Sequence, residues 1–188
     1  MHDAHDQGAV PAVTDTPPDR DDPGSSAKGD VPPSSACHPD ANNNLIELET
    51  TLLCATDTAT LRAAIAAAIP NVHRPVSRIG VQVVDDASMT ALHTQWHNLD
   101  TTTDVLTFEE NTTGPIDVDI AVCADEARRQ AASRGHAVID ELVLYVLHGL
   151  LHCCGHDDKT PQAQARMFAA QDELLQAIGR SPISEDVS

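Results

Sequence analysis

The chain has 188 residues and a formal net charge of −18, with 41% hydrophobic and only 2% aromatic residues. That length suits one core of ordinary size, built from Leu, Ile, Val and Ala because Trp96, Tyr145, Phe108 and Phe168 are the only large rings. The acidic balance disfavours loose electrostatic binding to nucleic acid, which relies on Lys and Arg to neutralise phosphates. DNA is therefore not an expected partner, and any RNA-directed activity must rest on a local site.

Residues 1–42 are rich in Asp, Pro, Ser, Gly and Asn and nearly lack large apolar residues. Such a segment cannot bury enough surface to offset its ordering entropy, so it reads as a disordered tail. Its His2, His5, Cys37 and His38 read as solvated residues without a ligand role. The start, MHDAHDQGAV, has neither the basic nor the apolar region of a secretory signal, and no apolar run reaches the length of a membrane span. Five cysteines are spread without a framework pattern, and the adjacent Cys153 and Cys154 would pair only with strain. Reduced thiols and a cytoplasmic location, away from any membrane, are expected.

The folded domain is expected over residues 43–180, with 181–188 as a short C-terminal tail. LIELETTLL reads as a strand, and Thr58 as the cap of a helix LRAAIAAAI that stops before Pro70. Ser77 to Asp86 is a strand running into an acidic turn. Ala87 to Asn98 shows the helical spacing of Met89, Leu92 and Trp96. Thr101 to Phe108 and the alternating IDVDIAVC, Ile116 to Cys123, are strands. A polar helix then ends at Gly135, an apolar one begins at Asp140, and an amphipathic one ends at Gly179. This order predicts a single α+β domain, a small mixed β-sheet packed by helices.

The apolar helix carries the chemistry. It runs into HGLLHCCGHDD, His148 to Asp158, where His148 and His152 are four residues apart and project from one helical face. At that spacing two imidazole nitrogens can reach one metal ion. Gly155 can turn the chain out of the helix, and Asp158, ten residues after His148, has the spacing of a third ligand. His156 is the reserve. If the helix ran on, its ring would stand about 12 Å up the axis from His148, too far to share an ion. Cys153 and Cys154 lie off the face of the pair. Gly149 occupies the place of the glutamate in the zinc-protease pattern, so the helix supplies no general base and peptide hydrolysis is disfavoured. Two imidazoles and a carboxylate leave a fourth zinc position open, the arrangement of a catalytic site, although the same set also describes a non-haem iron centre. Asp104 and Asp157 could orient a ligand imidazole or could be turn and cap residues.

From about Asn44 to Gly179 the chain resembles the YbeY family of bacterial rRNA maturation factors. The resemblance rests on three ordered blocks. The family's H-G-x-L-H-L-x-G-Y-D-H is written here His148-Gly149-Leu150-Leu151-His152-Cys153-Cys154-Gly155-His156-Asp157-Asp158. Its T-[DN]-V-L-S-F block is Thr103 to Phe108, and its G-D-I-x-I-C strand is Val118 to Cys123. The resemblance implies a metal-dependent, single-strand-specific endoribonuclease acting in 16S rRNA 3′-end maturation and ribosome quality control. It further implies one zinc ion, replaceable by other divalent metals, and the small ribosomal subunit as partner. Three departures stand out: the family's third histidine falls on Asp158, its tyrosine on His156, and an arginine that helps catalysis on His97. An imidazole lacks the bidentate fork of a guanidinium. The alternatives are a non-catalytic ribosome-assembly factor with a structural zinc, or a zinc hydrolase of another substrate class.

Overall fold

The computed structural model describes residues 42–183. Residues 1–41 of the proposed tail, with His2, His5, Cys37 and His38, lie outside the described residues, as do positions 184–188; Asn42, its last residue, donates to the Ala66 carbonyl at 3.3 Å.

The strands are β1 (Ile46–Glu49), β2 (Val76–Val84), β3 (Val105–Glu109) and β4 (Ile116–Cys123). They form one sheet in the order β1-β2-β4-β3, with β1, β2 and β4 parallel and β3 antiparallel to β4. The helices are α1 (Ala55–Ala68), α2 (Asp86–His97), α3 (Ala124–Arg134), α4 (Val138–Cys153) and α5 (Pro161–Ala177). This is the α+β domain with a small mixed sheet that the sequence predicts, and a short 3-10 turn at Ile69–Asn71 follows α1.

The register explains the layering. Ile46 pairs with Ile79, Ile79 with Val118, and Val81 with Ile120, so like faces stack across the sheet. These side chains are all buried in one core with Leu61 and Ile65 of α1 and Leu142, Leu147 and Leu150 of α4. Each such side chain taken fully from water contributes about 1.5–3 kcal/mol before entropy is counted. Helix α4 is apolar on nearly every face because it packs against α1, α3, α5 and the sheet at once. On the opposite face Asp117 and Asp119 alternate outward, and Arg78 bonds both, at 2.8 Å to each. There α2 covers one end through Met89, which packs with Val84, Leu106, Ala121 and Cys123.

Several boundaries differ from the sequence reading. Helix α1 begins at Ala55, capped by the Cys54 sulfur, which accepts from the Asp57 amide; Thr58 lies inside it and bonds the Cys54 carbonyl instead. Strand β3 begins at Val105, not Thr101, because the Asp104 side chain turns the chain by accepting from the Val105 amide at 2.9 Å. Trp96 is 59% exposed and meets the Phe108 ring, so of the helically spaced Met89, Leu92 and Trp96 only Met89 is buried. Ile183, in the stretch assigned to the C-terminal tail, packs against the core. Among the described residues no single helix is long and apolar enough to cross a membrane.

Candidate metal centre

Helix α4 ends in a motif that builds the site. The Gly155 amide donates to the His152 carbonyl at 2.9 Å and the His156 amide to the Leu151 carbonyl at 3.1 Å. These paired bonds close the last turn and require a left-handed residue between them, which Gly155 supplies at φ 87°. The chain therefore doubles back just past the His pair, and Asp158 returns to it. Its Oδ2 lies 3.5 Å from His148 Nε2 and 3.9 Å from His152 Nε2. Ligand atoms of His148, His152 and Asp158 all fall within 4.8 Å of one another, a grouping that could hold a metal ion.

The outer contacts of the rings are as telling. His148 Nδ1 is 2.7 Å from Gln171 Oε1, and His152 Nδ1 is 3.0 Å from the His156 carbonyl oxygen. A carbonyl oxygen can only accept, so each Nδ1 carries the proton of its neutral ring and each Nε2 presents a lone pair. The two Nε2 atoms are 3.0 Å apart with their rings at 84°. Two lone pairs at that separation repel unless a cation stands between them. The donor set, two imidazole nitrogens and one carboxylate oxygen, suits a divalent ion.

Sequence reasoning missed Gln171. The signal was a glutamine on the apolar side of an amphipathic helix; in the fold it is buried, 7% exposed, beside the site. His156 contributes its main-chain oxygen to the site. Asp157 accepts from the Asp158 and Lys159 amides through one oxygen, and Asp104 from Thr103 and Val105. Both are turn residues, and neither bonds a ligand imidazole. Burial pushes the Cys153 thiol up to about 12 and raises that of Cys154, which keeps both as thiols.

Gly149 has a packing role. A Cβ there would stand 2.7 Å from Thr107 Oγ1 and 3.3 Å from Ile120 Cδ1, so α4 lies against the sheet at the point where a protease carries its glutamate. Two cavities share the His148 and Asp158 wall. One holds about 590 Å³ and includes His97, Lys159 and His152. The other holds about 510 Å³ and opens between α3, α4 and α5. His97, on the last turn of α2, is exposed, and its ring lies 5.5 Å from that of His93.

The sequence model of the family described as Endoribonuclease YbeY matches residues 46–179. The chain belongs to the endoribonuclease YbeY family. Curated YbeY relatives include one from Renibacterium salmoninarum, 36% identical over 122 residues, covering 59% of this chain and 78% of that protein. Another, from Thermobifida fusca, is 35% identical over 122 residues, covering 60% and 79%. A third, from Acidothermus cellulolyticus, is 36% identical over 117 residues, covering 55% and 71%. The solution structure of a Thermotoga maritima protein aligns with a TM-score of 0.53 at 22% identity, over 76% of this chain and 99% of that one, and supports the fold. Within the YbeY signature, the carboxylate at Asp158 stands where the family's third histidine would be.

Proposed function

We propose that this chain is a metal-dependent, single-strand-specific endoribonuclease that acts in rRNA maturation, with His148, His152 and Asp158 holding one zinc ion. The observation that carries the metal assignment is the pair of Nε2 atoms 3.0 Å apart, each turned inward by an oxygen on its Nδ1. Family membership supports the substrate class. A bound divalent ion supplies an acidified water and charge stabilisation at a phosphoryl oxygen. The protein's own part is to aim two imidazoles and to bring a carboxylate back onto them. It also leaves the cleft open beside His97 and Lys159, where a phosphate can lie. His97, in place of the family's arginine, is assigned to substrate phosphate.

The small ribosomal subunit as partner follows the family, the cytoplasm as location follows the cysteines without a framework pattern, and residues 1–42 as a tail outside the catalytic domain follow their composition. Peptide hydrolysis is disfavoured because the position of the protease glutamate is pressed against Thr107 and Ile120. An iron oxygenase is disfavoured because both histidines come from one helix, whereas such enzymes usually draw their ligands from strands of a β-sandwich. A non-catalytic assembly factor fits less well, since the trio faces an open cleft.

The test compares wild type with His148→Ala for bound metal and cleavage of single-stranded RNA in parallel. Wild type should carry about one zinc per chain and cleave, and the variant should lose both. Chelator-sensitive proteolysis without RNA cleavage would overturn the proposal.

A further inference from the structure

The cavity of about 510 Å³ beyond the His148 and Asp158 wall lacks the His97 and Lys159 of the cleft on the other side, with which it shares Asp104. Carboxylates of Asp104, Glu126 and Asp172 line it. The Arg134 guanidinium at its edge is engaged by buried Glu141 at 3.0 Å. A phosphate would meet net repulsion there. A neutral planar group would not, and Phe168 offers it an apolar ring.

Tyr145, on α4 and three residues before His148, also lines this cavity. It is 4% exposed, and among the described residues its hydroxyl has no hydrogen-bond partner. Buried hydroxyls are ordinarily satisfied, so an unpartnered one on a side chain that lines a cavity points to a ligand acceptor. Burial, with the nearby carboxylates of Glu141, Asp104 and Glu126, holds this phenol well above its ordinary range, so it acts as a donor. Gln130 complements it: its amide nitrogen is committed to Glu126 at 2.7 Å, and its carbonyl oxygen is left to accept. One donor and one acceptor beside an aromatic ring match the edge and face of a nucleobase.

We infer that this cavity is a nucleobase subsite for a ribonucleotide adjoining the scissile phosphodiester, with the Tyr145 hydroxyl donating to a carbonyl or ring nitrogen of the base. The inference rests on the endoribonuclease reading above. It gives the substrate a polarity across the trio, with backbone on the His97 and Lys159 side and a base on the Tyr145 side.

The test walks a single abasic ribonucleotide through a labelled single-stranded RNA, measuring kcat/KM for wild type and Tyr145→Phe together with their metal content. Tyr145→Phe keeps the ring and removes only an unpartnered hydroxyl, so the packing of α4 is retained. It should lower cleavage of the intact RNA about tenfold, the worth of one hydrogen bond. At one position the abasic substrate should cost wild type at least as much. The variant on that substrate should lose little more, because base and hydroxyl report the same contact. Wild-type rates for Tyr145→Phe, or losses that multiply at every position, would overturn the subsite while leaving the nuclease reading intact. A wild-type protein that cleaves no RNA would overturn both.

Discussion

Gln171 Oε1 stands 2.7 Å from His148 Nδ1, tying α5 to the helix that carries the His pair. The contact sets the ring's tautomer and its direction together, so that Nε2 faces His152 and Asp158. Gln171→Leu should therefore lower metal affinity about 10- to 100-fold, the usual cost of losing an outer partner of a ligand histidine. Gln171→Glu keeps an acceptor and should retain most of the affinity. Competition titration against a zinc-binding dye would measure both. Wild-type affinity in Gln171→Leu would mean that helix packing alone aims the ring.

The third ligand is decided by side chain against main chain. Asp158 brings a carboxylate oxygen to the pair, whereas His156 brings its backbone carbonyl to His152. Asp158→Ala should lower metal affinity by more than the about 10- to 100-fold expected for an outer partner. Asp158→His should bind a metal. His156→Ala preserves the carbonyl and should keep near-normal metal content by mass spectrometry. The reverse pattern would move the assignment to the His156 ring.

Gly149 is constrained by the sheet beneath it. Gly149→Ala places a methyl 2.7 Å from Thr107 Oγ1, which belongs to a short, stiff side chain. Overpacking should cost about 1–3 kcal/mol, offset in part by about 1 kcal/mol of helix propensity. Gly149→Glu should be markedly worse. Thermal unfolding of the metal-free proteins would show it, and a Gly149→Glu melting temperature equal to wild type would contradict the packing argument.

His97 lines the same cleft as His148, His152 and Asp158. If it meets substrate phosphate, His97→Arg should maintain or raise RNA cleavage, since guanidinium binds phosphate through two parallel bonds. His97→Ala should lower it by several-fold, chiefly in KM. Both variants behaving as wild type would remove the residue from the site.

Acid should weaken the link between α2 and α3. The Arg129 guanidinium bonds Asp86 at 2.7 and 2.8 Å and is the main cause that lowers its carboxyl from 3.8 to about 2, with Cys123 assisting. A lowered folded-state pKa contributes stability above the ordinary value, and that contribution is lost as pH falls from about 4 towards about 2. Both side chains are more than 40% exposed, so solvent screening keeps the contribution below about 1 kcal/mol. Asp86→Asn should unfold slightly earlier than wild type near neutral pH, with the gap closing across that acid window. A gap that persisted at the acid end would point to a cause other than the ion pair.

Local order along the chain made much of this protein legible. The bounds of Ile116 to Cys123 match β4, although its last four residues are all buried, and Gly135 caps α3 after Arg134, because both signals are local. The four-residue spacing of His148 and His152, with Gly155 after them, carries the two imidazoles and the reversal, since helix geometry alone puts them on one face. Other features required the tertiary fold. The antiparallel placement of β3 at the edge depends on pairing with β4, to which no local pattern speaks. Gln171 reaches His148 from 23 residues away, so its role exists only once α5 packs on α4. Gly149 looked like an absent catalytic group until the sheet was seen to press on it. Spacing names the residues that share a face of one element; which atoms aim them is set by contacts between elements, and those depend on packing that sequence periodicity does not encode.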